Sequence, residues 1–169
     1  MTQRGISFLE MLVVVAIITL LAGAMFVLDY RGYSASRTSA DAAATLAEDL
    51  ALLERTAQNS LPNQGSSLVI VSTDPLAYRC YRGRPSSVDP NSALGALLIE
   101  RRFPQVALTG GPIDTSTPLL FAGNGSAQYV SSGVLADQHT TIALVLTARP
   151  GGRISKVELN LFTGAISQL

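Results

Sequence analysis

Few residues in this chain have both the type and the spacing for chemistry. His139 is the single histidine, with Asp137 two residues before it and Ser131 and Ser132 close in sequence. These are the side chains of a nucleophilic triad. A triad is defined by geometry, however, and no G-x-S-x-G turn accompanies them, so a polar loop is the simpler reading. Cys80, the single cysteine, stands between Tyr78 and Tyr81 in a strand-like run without a base beside it, which predicts a buried free thiol rather than a nucleophile. One Cys and one His do not make the usual zinc site. "GG" at 110–111 and "GNG" at 123–125 punctuate turns and do not form a phosphate loop. The expectation is a chain with no catalytic residue, no metal and no cofactor.

The residue that asks for an explanation is Glu10. From Ile6 to Leu28 it is the only charge. As a helix those residues would extend roughly 35 Å, enough to cross a ~30 Å hydrocarbon core. Leu, Ile, Val and Phe residues between Met11 and Leu28 supply roughly −5 kcal/mol of insertion energy, against at most ~3 kcal/mol for one carboxylate near an end. The segment is expected to insert despite Glu10. A secretory signal peptide is a rival, with "AGA" at 22–24 as its cleavage site, but the apolar run continues through Met25, Phe26, Val27 and Leu28. "SFLE", Ser7 to Glu10, also fits a helix capping box, in which the carboxylate bonds the Ser7 amide. A capping role could be filled by Gln without charge, and a carboxylate within an apolar span is a functional candidate.

"RGISFLEMLVVVAIITLLAG" resembles the processing signal of type IV pilins and type II secretion pseudopilins. In that family a short basic leader ends in Gly, a prepilin peptidase cuts after it and methylates the new terminus, and the fifth mature residue is Glu. The resemblance implies cleavage between Gly5 and Ile6, N-methylation of Ile6, and an assembly role for Glu10, whose carboxylate would pair with the Ile6 ammonium of a neighbouring subunit. A buried charge without a partner is costly, so this pairing would penalise wrong registers. The implied partners are other pilins or pseudopilins in a filament, the prepilin peptidase, the inner-membrane assembly platform and the inner membrane itself. The sequence departs from the usual pattern by starting the mature chain with Ile6 rather than Phe, and by lacking a helix-loosening Pro near Val27.

Beyond the apolar run, Ser34 to Asn59 reads as helix, with Ala43, Leu46, Leu50, Leu53 and Ala57 on one apolar stripe and Asp41, Glu48, Asp49, Glu54 and Arg55 mostly off it. "NSLPNQGSS", Asn59 to Ser67, ends the helix. Strand-like runs come next, at 67–73, 78–82, 96–103, 118–123, 127–132 and 141–148, separated by Gly, Pro, Asp and Asn. "RISKVELNLFTGAISQL" reads as a closing hairpin with Thr163-Gly164 in its turn. The expected fold is α+β: a leader at 1–5, a long N-terminal helix at 6–59 with a transmembrane half (about 6–28) and an amphipathic half, packed on an antiparallel β-sheet domain at 60–169. The domain order is similar to that of GspH/FimT-type minor pseudopilins, whose "F-x-x-x-G" strand segment and closing glycine turn are matched by "LLFAGNGSAQYVSSG" and "KVELNLFTGAIS".

Charge sets the remaining bounds. Twelve basic residues balance twelve acidic ones, which argues against a general attraction to nucleic acid or acidic membrane. From residue 60 on, eight basic residues face six acidic ones. Arg149, Arg153 and Lys156 form one basic group, and some FimT-like pilins bind DNA near their C-terminus, so contact of these three with DNA phosphates is the alternative expectation. The reading is a structural, non-enzymatic pilin or pseudopilin subunit of the bacterial inner membrane with its β domain in the periplasm, destined for a periplasmic or surface filament. A DNA-binding competence pilin is the runner-up. A membrane-anchored periplasmic enzyme or binding domain would not need the Gly5/Glu10 arrangement.

Overall fold

The computed structural model describes residues 8–60, 65–83, 95–131, 134–135, 140–149 and 152–169, and within these the side chains of 8–10, 26–36, 130–131 and 134–135 are not described. One helix, α1 (Phe8–Gln58), precedes ten strands: β1 (Ser66–Thr73), β2 (Leu76–Arg82), β3 (Ala96–Phe103), β4 (Val106–Gly110), β5 (Leu119–Phe121), β6 (Ala127–Ser131), β7 (Val134–Leu135), β8 (Thr141–Ala148), β9 (Ile154–Asn160) and β10 (Ile166–Gln168).

The strands form two antiparallel sheets, a six-stranded one in the order β3-β2-β1-β5-β6-β7 and a four-stranded one in the order β10-β9-β8-β4. The chain alternates between them. It leaves the edge of the first at Phe103, joins the edge of the second at Val106, returns for β5 to β7, and finishes in the second with β8 to β10.

The expected architecture needs correction. The α+β class does not hold: the protein is mostly β, its strands in two antiparallel sheets. The transmembrane half is also overturned: among the described residues no helix is long and apolar enough to cross a membrane.

The rest of α1 is built by its apolar stripe. Ala43, Leu46, Leu50, Leu53 and Ala57 are all buried, and they meet Leu68 and Ile70 of β1, Leu76 and Tyr78 of β2, Leu144 and Leu146 of β8, and Val157 and Leu159 of β9 in one core. Alternation in the strands explains which side faces the helix. In β8, Ile142, Leu144, Leu146 and Ala148 are buried while the residues between them are exposed or half-buried.

Polar bonds fix the helix over both sheets. The Ser66 hydroxyl donates to the Leu53 carbonyl at 2.6 Å, and Ser155 donates to Ser39 at 3.1 Å. The Gln168 amide donates to the Ala40 carbonyl at 3.1 Å. Each bridges residues distant in sequence and sets where a strand starts or ends against α1.

Two glycine turns abut the end of the helix. In the first, Gly125 has φ +84°, four residues after buried Phe121; in the second, Gly164 has φ +71°. A Cβ on Gly164 would collide with the Gly125 carbonyl and lie 2.9 Å from the Glu54 carboxylate. Glycine is required there by backbone conformation and by space.

Candidate functional site

The sequence placed its principal site at Gly5, Ile6 and Glu10. Gly5 and Ile6 lie outside the described residues. Glu10 is in the first turn of α1, its side chain not described. The next fifteen residues, Met11 to Met25, are all exposed, with Met11 at 66%, Leu20 at 75% and Met25 at 72% of full exposure. Large apolar side chains therefore cover every side of this helical stretch, and no part of the chain's own described core covers them. A contiguous apolar surface of this kind marks contact with lipid or with other protein. From Ser39 onward the helix instead buries one side against the sheets. One element thus serves two surroundings.

The second group of sequence candidates is divided. The Arg149 guanidinium is 2.7 Å from the Asp74 carboxylate in an exposed ion pair, and its amide donates to the Gln105 carbonyl at 2.7 Å. It ties the β1–β2 turn to the end of β8. Arg153 and Lys156 are exposed on the four-stranded sheet, at the start and within β9, and neither has an ion pair among the described residues. Of the three, Arg149 alone is in an ion pair among the described residues.

Most of the residues first weighed for catalysis lie outside the described residues. Asp137 and His139 fall outside the described residues, as does Ser132, and the Ser131 side chain is not described. Cys80 is a free cysteine and fully buried. Burial, with the nearby Asp49 carboxylate adding to it, pushes its thiol up to about 12, so it stays protonated and unreactive. Among the described residues no group of three or more His, Cys, Asp or Glu is placed to hold a metal ion.

A buried polar cluster that periodicity alone did not single out joins α1 to the six-stranded sheet. Asp49 accepts a hydrogen bond from the Tyr78 hydroxyl at 2.8 Å and from Arg101 Nε at 3.2 Å. The Asp49 side chain is 5% exposed and that of Arg101 46%. Burial and the bond to Asp49 push the Tyr78 phenol well above its ordinary range. The same carboxylate raises the Arg101 guanidinium further. Tyr78 also stacks on Phe103 with ring centroids 6.0 Å apart. One signal was available in the sequence: Asp49 sits between Glu48 and Leu50, one residue from the apolar stripe, where a charge must find a partner or be excluded.

On the outer side of that sheet, Glu100 is shared by Arg79 at 3.3 Å and Arg102 at 3.5 Å. Bonds to Glu100 and Tyr81 raise the Arg79 guanidinium. In the loop after β4, the Asp114 carboxyl is held below its usual range because it accepts from the Ser116 hydroxyl and amide at 2.7 and 2.8 Å. These arrangements order surface loops and strands and hold no catalytic geometry. The largest feature that the described residues present is an exposed apolar helical surface, Met11 to Met25, continuous with the helix half docked on the sheets. No family model, curated protein or solved structure matches the chain.

Proposed function

We propose that the protein is a structural subunit of a type IV pilus-like or type II secretion filament, made as a precursor that a prepilin peptidase cuts after Gly5. The observation that carries the reading is the exposed apolar helix from Met11 to Met25, joined without a break to a helix half docked in the β core. Burying those side chains among neighbouring helices would remove most of their apolar surface from water, a gain of roughly 1.5–3 kcal/mol for each large side chain fully covered. The folded head then decorates the outside of the bundle. Glu10, ahead of the apolar stretch, is positioned by sequence to pair with the Ile6 ammonium of the next subunit. Before assembly the precursor belongs to the bacterial inner membrane, with the β domain in the periplasm and the assembly platform as its partner. Its role is structural, without catalysis of its own.

Mass spectrometry of the mature amino terminus tests this directly. A chain beginning at N-methylated Ile6 is expected. An intact Met1, or a cut after Ala24, would overturn the proposal.

A further inference from the structure

The turn between β5 and β6 holds the one Asn-Gly pair of the sequence, Asn124-Gly125. Asn124 is exposed, and its side-chain Oδ1 accepts from the Ser126 amide at 3.1 Å and from the Ser126 hydroxyl at 2.8 Å. These bonds fold the side chain back over the backbone that follows it. That brings an electrophile, the carbonyl carbon Cγ, toward a nucleophile, the backbone nitrogen of Gly125. The two can close a five-membered ring, and Gly125 has no side chain to obstruct the approach.

Asn160 supplies a comparison within the same domain. Its Oδ1 also accepts two donors, the amides of Phe162 and Thr163, both at 3.0 Å. There the next residue is Leu161, fully buried, with its amide bonded to the Thr140 carbonyl at 3.1 Å. Ring closure at Asn160 would drag a core side chain; at Asn124 only glycine has to move. The Gly125 amide donates to the Ala122 carbonyl at 3.0 Å, so the turn must open at that bond to free the nitrogen. The bonds from Ser126 to Asn124 span three residues and do not depend on it.

We propose that Asn124 is a self-modification site. The Gly125 nitrogen bonds to Asn124 Cγ, and the side-chain amide nitrogen leaves as ammonia, taking the Gly125 amide proton. The product is a succinimide, which one water opens at either carbonyl to give aspartate or isoaspartate. No oxidant, reductant or other reactant is consumed. As the nitrogen attacks, negative charge gathers on Oδ1, where the two Ser126 donors already point. Either product adds a carboxylate near Glu54, whose Oε1 is 3.6 Å from the place of a Cβ on Gly125. Isoaspartate also lengthens the main chain by one carbon just before Gly125, whose carbonyl abuts Gly164. Conversion therefore loosens the meeting point of the two glycine turns and the end of α1. The inference stands apart from the filament reading.

The test holds the full chain in detergent micelles in mildly alkaline buffer and follows its peptides by mass spectrometry. The peptide with Asn124 is expected to gain about one mass unit and to become a substrate for an isoaspartyl methyltransferase, while the peptide with Asn160 stays unchanged. Asn124→Gln, which keeps an amide but cannot close the five-membered ring, should abolish the gain. Ser126→Ala should slow it roughly fivefold, because a bond to a charged oxygen is about twice as strong as one to a neutral oxygen. In urea, where these bonds are lost, the Ser126→Ala and parent chains should convert at one rate. No conversion at Asn124 in the folded chain, equal conversion at Asn160, or a folded Ser126→Ala chain as fast as the parent overturns the proposal.

Discussion

Replacing Asp49 by Ala is expected to destabilise the domain by about 2–4 kcal/mol, and the size depends on which groups are left without a partner. The carboxylate accepts from Tyr78 at 2.8 Å and from Arg101 at 3.2 Å. Tyr78 is fully buried, so its hydroxyl has no access to water once Asp49 is gone, which costs ~1–3 kcal/mol. Arg101 is nearly half exposed and can turn to solvent, so its share is held to ~0.5–1 kcal/mol. Tyr78→Phe alone removes a bond to a charged acceptor, ~1.5–3 kcal/mol, but leaves Asp49 paired with Arg101. In the double variant the Tyr78 hydroxyl that Asp49→Ala orphans no longer exists. The double variant should therefore lose ~1–2 kcal/mol less than the sum of the two singles. Urea unfolding of the full chain in detergent, followed by near-ultraviolet circular dichroism, measures all four corners of the cycle. An Asp49→Ala cost below ~0.5 kcal/mol, or strict additivity, would refute the claim that one carboxylate holds the helix to the six-stranded sheet.

Stability is expected to fall as pH rises above about 9. The Cys80 thiol is raised by burial from 9.0 to about 12, so the folded state keeps a proton that the unfolded state releases. Its contribution is complete below pH 9 and is lost between 9 and 12, at a slope approaching ~1.4 kcal/mol per pH unit. Tyr78, raised in the same direction, adds to the loss above pH 10. Urea midpoints at pH 8 and pH 10 check this, and Cys80→Ala should flatten the decline between them. Gly164→Ala should cost ~2–3 kcal/mol, because the residue combines φ +71° with a close approach to Glu54 and Gly125, and a thermal melt should show a clear drop. A shift of less than a degree or two in that melt would mean the turn moves away freely.

The helix stripe and most strands were legible in the residues because each obeys one period. Ala43 to Ala57 repeats at three and four, and 96–103 and 141–148 coincide with β3 and β8. Two features had no such signal. β4, Val106–Gly110, is a five-residue run between Pro104 and Gly111, too short for alternation to stand out. The division into two sheets was likewise invisible, because pairing partners are chosen by long-range packing: β1 pairs with β5 across some fifty residues, and local pattern does not encode that choice. The Asp49 cluster was hidden for a related reason. A charge beside an apolar stripe reads as surface until Tyr78 and Arg101, distant in sequence, are brought to it. The proposed processing signal is the opposite case, a set of local spacings that needs no fold to be read.

The alternation of the chain between its sheets has a consequence for the order of folding. Neither sheet is made from one continuous segment: β4 is set aside while β5 to β7 complete the first sheet, and the second waits for β8 to β10. β9 and β10 cover the helix between Ser39 and Glu54 across more than a hundred residues of chain. A nascent subunit that has not yet delivered residues 154–168 leaves part of the Leu46–Leu53 stripe bare. Contacts of such separation are slow to form. Until they form, the head carries an adhesive side of its own, on the same helix as the exposed apolar stretch. In the proposed filament, correct addition would then depend on the timing of closure: a chain whose head closes late offers two sticky surfaces, and one whose head closes early offers only the exposed apolar helix.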